Sequence, residues 1–360
     1  MAADYGAINL SQGFPNFESD PVLIEAVTKA MKDGFNQYAP MQGDILLRER
    51  ISEKIENLYN KKYHPSTEIT ITAGATQAIF TAIAATIHPS DEVIIFAPAY
   101  DCYEPAIELF GGITKSIQLK PPSYRPDWDE VEDTISAKTK MIIVNSPQNP
   151  SGMLFTKEDI LQLEYLAEKN NLLVLSDEVY EHIIFDNEIN QSAARFEALS
   201  QRTFITASFG KTFHNTGWKL GYCVAPKILM KEFQKVHQYN VFCVNHPIQK
   251  GLAAYLETPN HYLKLPNFYQ QKRDFFLRLI KNSRFSFVPS KGTYFQLLDY
   301  SEITSENDVL FAERLTKEHK IATIPTSVFN KNQEDFKQLR VCFAKTEETL
   351  QKAAAIINSI

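Results

Sequence analysis

Two lysines eight residues apart, Lys211 and Lys219, stand where an apolar run gives out. The run is Thr203-Phe204-Ile205-Thr206-Ala207, and it leads into Ser208-Phe209-Gly210-Lys211-Thr212. An ammonium at the end of a buried strand is costly unless chemistry or an anion holds it there. A surface lysine in a loop is the ordinary alternative for any single Lys. Gly210-Lys211-Thr212 has the tail of a phosphate-cradling NTPase loop, but that motif needs glycine where Ile205 stands.

Other polar residues also close apolar runs. Gly74-Ala75-Thr76 opens a helix whose free N–H groups and dipole suit a phosphate, although a tight strand–helix turn reads the same way. Asp177 ends a fully apolar strand, where an unpaired carboxylate would be costly and a helix N-cap is the plain alternative. Tyr180 could be core packing, and Asn149 a turn residue before Pro150. Taken together they describe one ligand with a phosphate, a basic ring nitrogen, a phenolic oxygen and an aldehyde. That ligand is pyridoxal 5′-phosphate.

The elements that must position these groups follow from hydrophobic pattern. Short apolar strands are expected at 69–72, 93–96, 114–119, 141–144, 172–177, 203–207 and 219–225. Helices are expected between them at 77–87, from about 101, and at 157–170. Upstream, residues 8–15 read as a loop, and helices are expected at 21–32 and 44–60. Continuous apolar strands separated by helices imply an α/β fold, a mostly parallel sheet covered on both faces. Ligands in such sheets gather at the carboxyl ends of the strands, where Tyr100 also lies. After Lys227 the chain reads as helical to about 282. It then becomes a smaller α+β unit with strands at 285–288, 293–298, 321–324 and 338–343, and helices at 306–319 and 345–358. The expected division is a large domain, 34–266, and a small domain made of 1–33 and 267–360.

Composition narrows the function classes. The 360 residues carry 43 acidic against 37 basic side chains, a net charge of −6, without the basic face that nucleic-acid binding requires. Cys102, Cys223, Cys243 and Cys342 form no CxxC pair, and no two of the eight histidines are spaced four apart. Disulfides and metal sites are therefore not expected, and a reducing cytoplasm fits. No signal peptide or membrane span is expected.

Three motifs carry a resemblance. They are Asn145-Ser146-Pro147-Gln148-Asn149-Pro150-Ser151-Gly152, Ser176-Asp177-Glu178-Val179-Tyr180 and Ser208-Phe209-Gly210-Lys211. With them, from about Ile8 to Phe343, the chain resembles the fold-type I, aspartate-aminotransferase-like pyridoxal-phosphate enzymes. Within these it is similar to the methionine, kynurenine and glutamine-transaminase-K branch. The resemblance implies that Lys211 is the Schiff-base lysine and general acid–base. It implies that Asp177 pairs with the ring nitrogen, and that Tyr180 and Asn149 bond the phenolic oxygen. Tyr100 would stack on the ring. Gly74, Ala75, Thr76, Ser208 and Lys219 would hold the phosphate, with lysine where many relatives have arginine. Arg340, in Leu339-Arg340-Val341-Cys342-Phe343, would clamp the substrate α-carboxylate with Asn149 and the backbone at Gly13. Tyr38 would reach the phosphate of a second subunit, which implies a homodimer with shared sites.

For the substrate side chain the expected pocket is Phe14, Tyr38, Tyr100, Tyr103 and Phe242, apolar or aromatic, with no arginine placed for a second carboxylate. A neutral, sizeable amino acid such as methionine, glutamine, phenylalanine or kynurenine is therefore expected, with a 2-oxo acid as acceptor. Residues 240–249, with His246, depart from the kynurenine-type pattern. The chain also begins later than family members do, so a leading arm is expected to be missing from it. A C–S β-lyase would use the same lysine to eliminate a thiol. A pyridoxal-phosphate-sensing regulator would need a DNA-binding domain for which 360 residues leave no room. A dinucleotide dehydrogenase would need a GxGxxG after a strand, and none follows one.

Overall fold

A computed structural model of the chain describes residues 1–360. In chain order its strands are β1 (Ile8–Asn9), β2 (Ile69–Thr72), β3 (Glu92–Ala97), β4 (Ile113–Gln118), β5 (Thr139–Asn145) and β6 (Leu173–Asp177). β7 (Thr203–Ser208), β8 (Gly221–Val224), β9 (Phe295–Asp299), β10 (Ile321–Ala322), β11 (Ile324–Pro325) and β12 (Gln338–Cys342) complete the set. Seven of them form one sheet in the order β2-β8-β7-β6-β5-β3-β4. Only β8 runs antiparallel to its neighbours.

Alternation along the central strands explains why helices cover both faces. Val93, Ile95, Ile143, Leu175 and Phe204 share one core with Ala78, Ile79 and Ile83 of α3 (Gly74–Thr86). Their neighbours Ile94, Phe96, Ile142, Val174 and Ile205 share the other core with α2 (Ile45–Tyr59) and α6 (Lys157–Lys169). Side chains at i and i+1 of a strand point to opposite faces, so a run apolar throughout must be buried on both.

The helices begin where the sequence offers caps. α1 (Pro21–Lys32) has Asp20 at its N-cap and Pro21 in its first turn. α2 starts on Asp44, and α6 on a reciprocal Thr156–Asp159 capping box. Two further helices lie on opposite faces, α4 (Tyr103–Leu109) in the core of α3 and α5 (Trp128–Thr134) in that of α6. α1 docks tightly on the helix His246–Tyr255: a Cβ on Gly251 would come within 2.9 Å of the Val27 backbone. β1 pairs in parallel with β10, while β9, β11 and β12 form a separate antiparallel sheet. No helix is long and apolar enough to cross a membrane.

Several expected elements differ. Residues 285–288 form no strand but a single bridge, Ser286 to Asp299, because Pro289 and an exposed Val288 break the edge. The run 321–324 splits at Thr323 into β10 and β11, which belong to different sheets. Residues 8–9, expected as loop, are β1. The helix α5 had no periodic signal, since Val131 is its only buried side chain.

Candidate active site

One cavity of about 450 Å³ opens at the carboxyl ends of β5, β6 and β7 and at the start of α3. It gathers Gly13, Gly74, Ala75, Thr76, Tyr100, Asn149, Asp177, Tyr180, Ser208, Lys211, Lys219 and Arg340. A roomier cleft of about 890 Å³, lined by Tyr124, Arg125 and Lys157 among others, contains none of these groups.

Chain geometry explains how each group arrives. β7 ends at Ser208, and the short turn Phe209–Thr212 lifts Lys211 out of the strand line. Lys211 Nζ donates to the Gly13 carbonyl at 3.1 Å. Burial lowers its pKa to about 8. Asp177 closes β6 with 3 % exposure, and burial raises its pKa to about 6. Two bonds oppose that rise, from Tyr103 Oη to Oδ2 at 2.5 Å and from the Val179 amide to Oδ1 at 3.3 Å. The Tyr180 ring is buried, with Lys211 Nζ 5.9 Å from its centroid.

The phosphate end is built from backbone. α3 begins at Gly74, with φ +77° and no side-chain cap, so its dipole faces the cavity. An added Cβ on Gly74 would lie 3.6 Å from Lys219 Nζ. Lys219 itself takes a left-handed conformation, φ +53°, at the turn into β8. At the next strand position a Cβ on Gly221 would meet the Ala207 carbonyl at 2.5 Å and the Ala75 amide at 3.0 Å. Glycine there lets β8 lie against the helix start. Thr76 and Tyr100 are joined through their hydroxyls at 3.3 Å.

At the opposite end Arg340, buried on β12, donates to Asn149 Oδ1 at 2.8 Å and to the Ser11 carbonyl at 3.0 Å. Its Nε is buried without a partner. Asn149 is steadied by its own amide, which donates to Asn145 Oδ1 at 2.8 Å, and Asn145 Nδ2 donates to the Asp177 carbonyl at 2.9 Å.

Not every expected residue lies here. Tyr103 is packed beneath Asp177 rather than on the cavity wall. Tyr38 and Phe242 meet edge to face at 5.3 Å beside a different cavity, with residues 243–247, and Tyr38 is 81 % exposed. Phe14 does not line the cavity either. Conversely, Ile324, Val328, Phe329 and Phe295 supply an apolar wall that sequence reading missed. Asn145 was missed too, although it carries the signal that marked Asp177, a polar residue closing an apolar strand. No group of three or more His, Cys, Asp or Glu side chains is arranged to hold a metal ion.

Known proteins resemble the chain over nearly its whole length. The family model described as aminotransferase class I and II matches residues 5–357. The chain is 46% identical to a methionine aminotransferase of Escherichia coli (strain K12), covering 98% of this chain and 92% of that protein. It is 34% identical to a kynurenine–oxoglutarate transaminase of Dictyostelium discoideum, covering 98% and 90%. Among solved structures, YbdL from Escherichia coli, for which a methionine aminotransferase function was identified, superposes with a TM-score of 0.98 at 46% identity. That match covers 100% of this chain and 94% of that one. An aspartate aminotransferase of Thermus thermophilus gives 0.91 at 28% identity, covering 99% and 94%.

Proposed function

The chain belongs to the class I and II aminotransferases, with an aspartate-aminotransferase-like fold, and from that premise we propose which substrate and which residues it uses. The substrate is a neutral amino acid of the methionine or aromatic type, whose amino group passes to a 2-oxo acid by a ping-pong cycle. One observation carries this reading. The cavity's cations are Lys211, Lys219 and Arg340, and the apolar wall not committed to the cofactor includes Ile324, Val328 and Phe329. With Lys211 and Lys219 committed to the cofactor, one cation remains, which suits one carboxylate and an apolar side chain.

The residues present fit pyridoxal 5′-phosphate. The uncapped start of α3 with Lys219 and Ser208 suits its phosphate, and the buried carboxylate of Asp177 suits its ring nitrogen. Tyr180 and Asn149 would hold its phenolic oxygen and Tyr100 its ring face, while Lys211 would anchor its aldehyde. When bound, this cofactor supplies an aldehyde that captures the amino group and a ring that accepts electrons from Cα.

The chain's own residues do the rest. Arg340, with its orphaned Nε and its Asn149 partner, orients the α-carboxylate through a rigid fork. That orientation presents the Cα hydrogen to Lys211. A depressed amine pKa leaves Lys211 with a substantial neutral fraction near pH 8, so it can take that proton and return it on the other side of the transfer. Asp177 stays ionised once it faces a cation. Residues 34–266 would form the cofactor-binding unit, and 1–33 with 267–360 the smaller one. The exposed Tyr38–Phe242 pair would be covered by a second copy, so that Tyr38 completes the partner's phosphate site.

Steady-state rates with methionine, phenylalanine, kynurenine, glutamine and aspartate, each with a 2-oxo acid, test this reading. Turnover is expected with the neutral donors and at least tenfold lower kcat/KM for aspartate. Ammonia and pyruvate release from a cysteine conjugate, with no need for an oxo acid, would instead identify a β-lyase.

A further inference from the structure

Beside the cavity the carbonyls of Ser11, Gly13 and Phe14 face buried side-chain donors. Ser11 O accepts from Arg340, and Gly13 O accepts from both Lys211 and the Tyr294 hydroxyl, the latter at 2.6 Å. Phe14 O accepts from Lys345 Nζ at 2.8 Å. Two of these donors, Lys211 and Arg340, are the groups that cofactor and substrate must engage. Lys211 would give up the Gly13 carbonyl when its nitrogen engages the cofactor, whereas Arg340 has further N–H groups, Nε among them, for a carboxylate. Tyr294 and Lys345 have no such duty.

Lys345 is unusual for a lysine, at 3 % exposure with no carboxylate within ion-pair distance. Its ammonium has the Phe14 carbonyl, and it lies 4.9 Å from the Phe14 ring centroid. A buried cation without a counter-charge costs several kcal/mol unless local dipoles replace its hydration. The carbonyl and the ring face are those dipoles here. Tyr294 is fully buried, edge to face with Tyr180 at 5.2 Å, and its hydroxyl donates to the Gly13 carbonyl. Gly13 lies flat on this aromatic floor, since a Cβ there would meet Phe295 Cζ at 2.6 Å.

We infer that Tyr294 and Lys345 are positioning residues. They keep Gly13 and Phe14 in place at the carboxylate end of the cavity after the cofactor draws Lys211 away from the same segment. This rests on the proposed roles of Lys211 and Arg340. Removing either anchor frees the segment and weakens capture of the amino acid. The phosphate site at Gly74 and Lys219 is untouched, because it is built from other elements.

The test compares holoenzyme with Tyr294→Phe and Lys345→Met by hydrogen exchange and by kinetics with methionine. Amides of residues 8–17 are expected to exchange about tenfold faster in both variants, and those of residues 74–86 at the parent rate. KM for methionine should rise about tenfold with kcat within about twofold, a split that a general loss of folding would not give. Unchanged exchange at residues 8–17 in Tyr294→Phe overturns the inference, and that variant, lacking one oxygen, carries the test if Lys345→Met does not fold. Failure of the parent enzyme to transaminate methionine would sink the proposed function but leave the exchange comparison intact. Normal parent turnover with unchanged exchange in the variant would sink this inference alone.

Discussion

Tyr103 and Asp177 are bound to each other at 2.5 Å, hydroxyl to carboxylate, beneath the floor of the cavity. Burial pushes the Asp177 carboxyl up to about 6, and the Tyr103 bond pulls the other way. Tyr103→Phe should therefore push the Asp177 carboxyl of the cofactor-free protein further up, moving the acid limb of pyridoxal 5′-phosphate capture to higher pH, and lower kcat about tenfold at pH 7, the cost of one hydrogen bond to a charged group. An acid limb that stays in place would show that this bond does not set the carboxylate's ionisation.

The same burial makes Asp177 a liability in the cofactor-free protein. Its folded pKa lies above the unfolded value of 3.8, so its favourable contribution is present below about pH 4 and is lost as pH rises through about 6. Asp177→Asn should stabilise the cofactor-free protein at pH 8 by up to about 3 kcal/mol, and by little at pH 4. Urea unfolding at the two pH values checks this. Equal effects at both would remove the electrostatic explanation.

Lys211 carries the opposite sign. Burial lowers its folded pKa to about 8 from 10.5, so the neutral amine gains population as pH rises through 8. The rate at which cofactor-free protein captures pyridoxal 5′-phosphate, followed by absorbance, should climb with pH and level off just above 8. A climb continuing to about 10 would mean that the amine is not desolvated.

Gly221 fixes the spacing between β8 and the start of α3. Gly221→Ala places a methyl 2.5 Å from the Ala207 carbonyl and 2.9 Å from the Gly74 carbonyl carbon. A loss of about 2 kcal/mol in urea unfolding and a weaker cofactor complex are expected, because backbone on both sides cannot yield cheaply. Unchanged stability would mean that the two elements can part without consequence.

Strands β3, β5, β6 and β7 were legible because burial on both faces leaves a continuous apolar run, and the polar residue that ends each run marks the site. That logic reached Asp177 and Lys211, yet after β5 it settled on Asn149 and passed over Asn145, the last residue of the strand itself. It could not place Tyr103, because Tyr100 and Tyr103 are three residues apart at the start of α4 and nothing local tells which one turns inward. Two-residue strands such as β1 and β10 are too short for any period to show. Ile321-Ala322-Thr323-Ile324 looks like one strand, yet Thr323 is the corner between two sheets. Tyr294 and Lys345 were invisible for another reason: their partners are carbonyls of residues 13 and 14, which sequence pattern does not register.

The central claim is that Lys211, within this cavity, moves an amino group from a neutral amino acid. The most direct measurement mixes holo-protein with methionine, without any oxo acid, and follows the absorption of the lysine-bound cofactor. Conversion to the pyridoxamine form is expected, with release of a matching amount of 2-oxo acid, full recovery on adding a 2-oxo acid, and neither change in Lys211→Ala. An unaltered spectrum with every neutral amino acid, or near-normal transamination by Lys211→Ala, would contradict it.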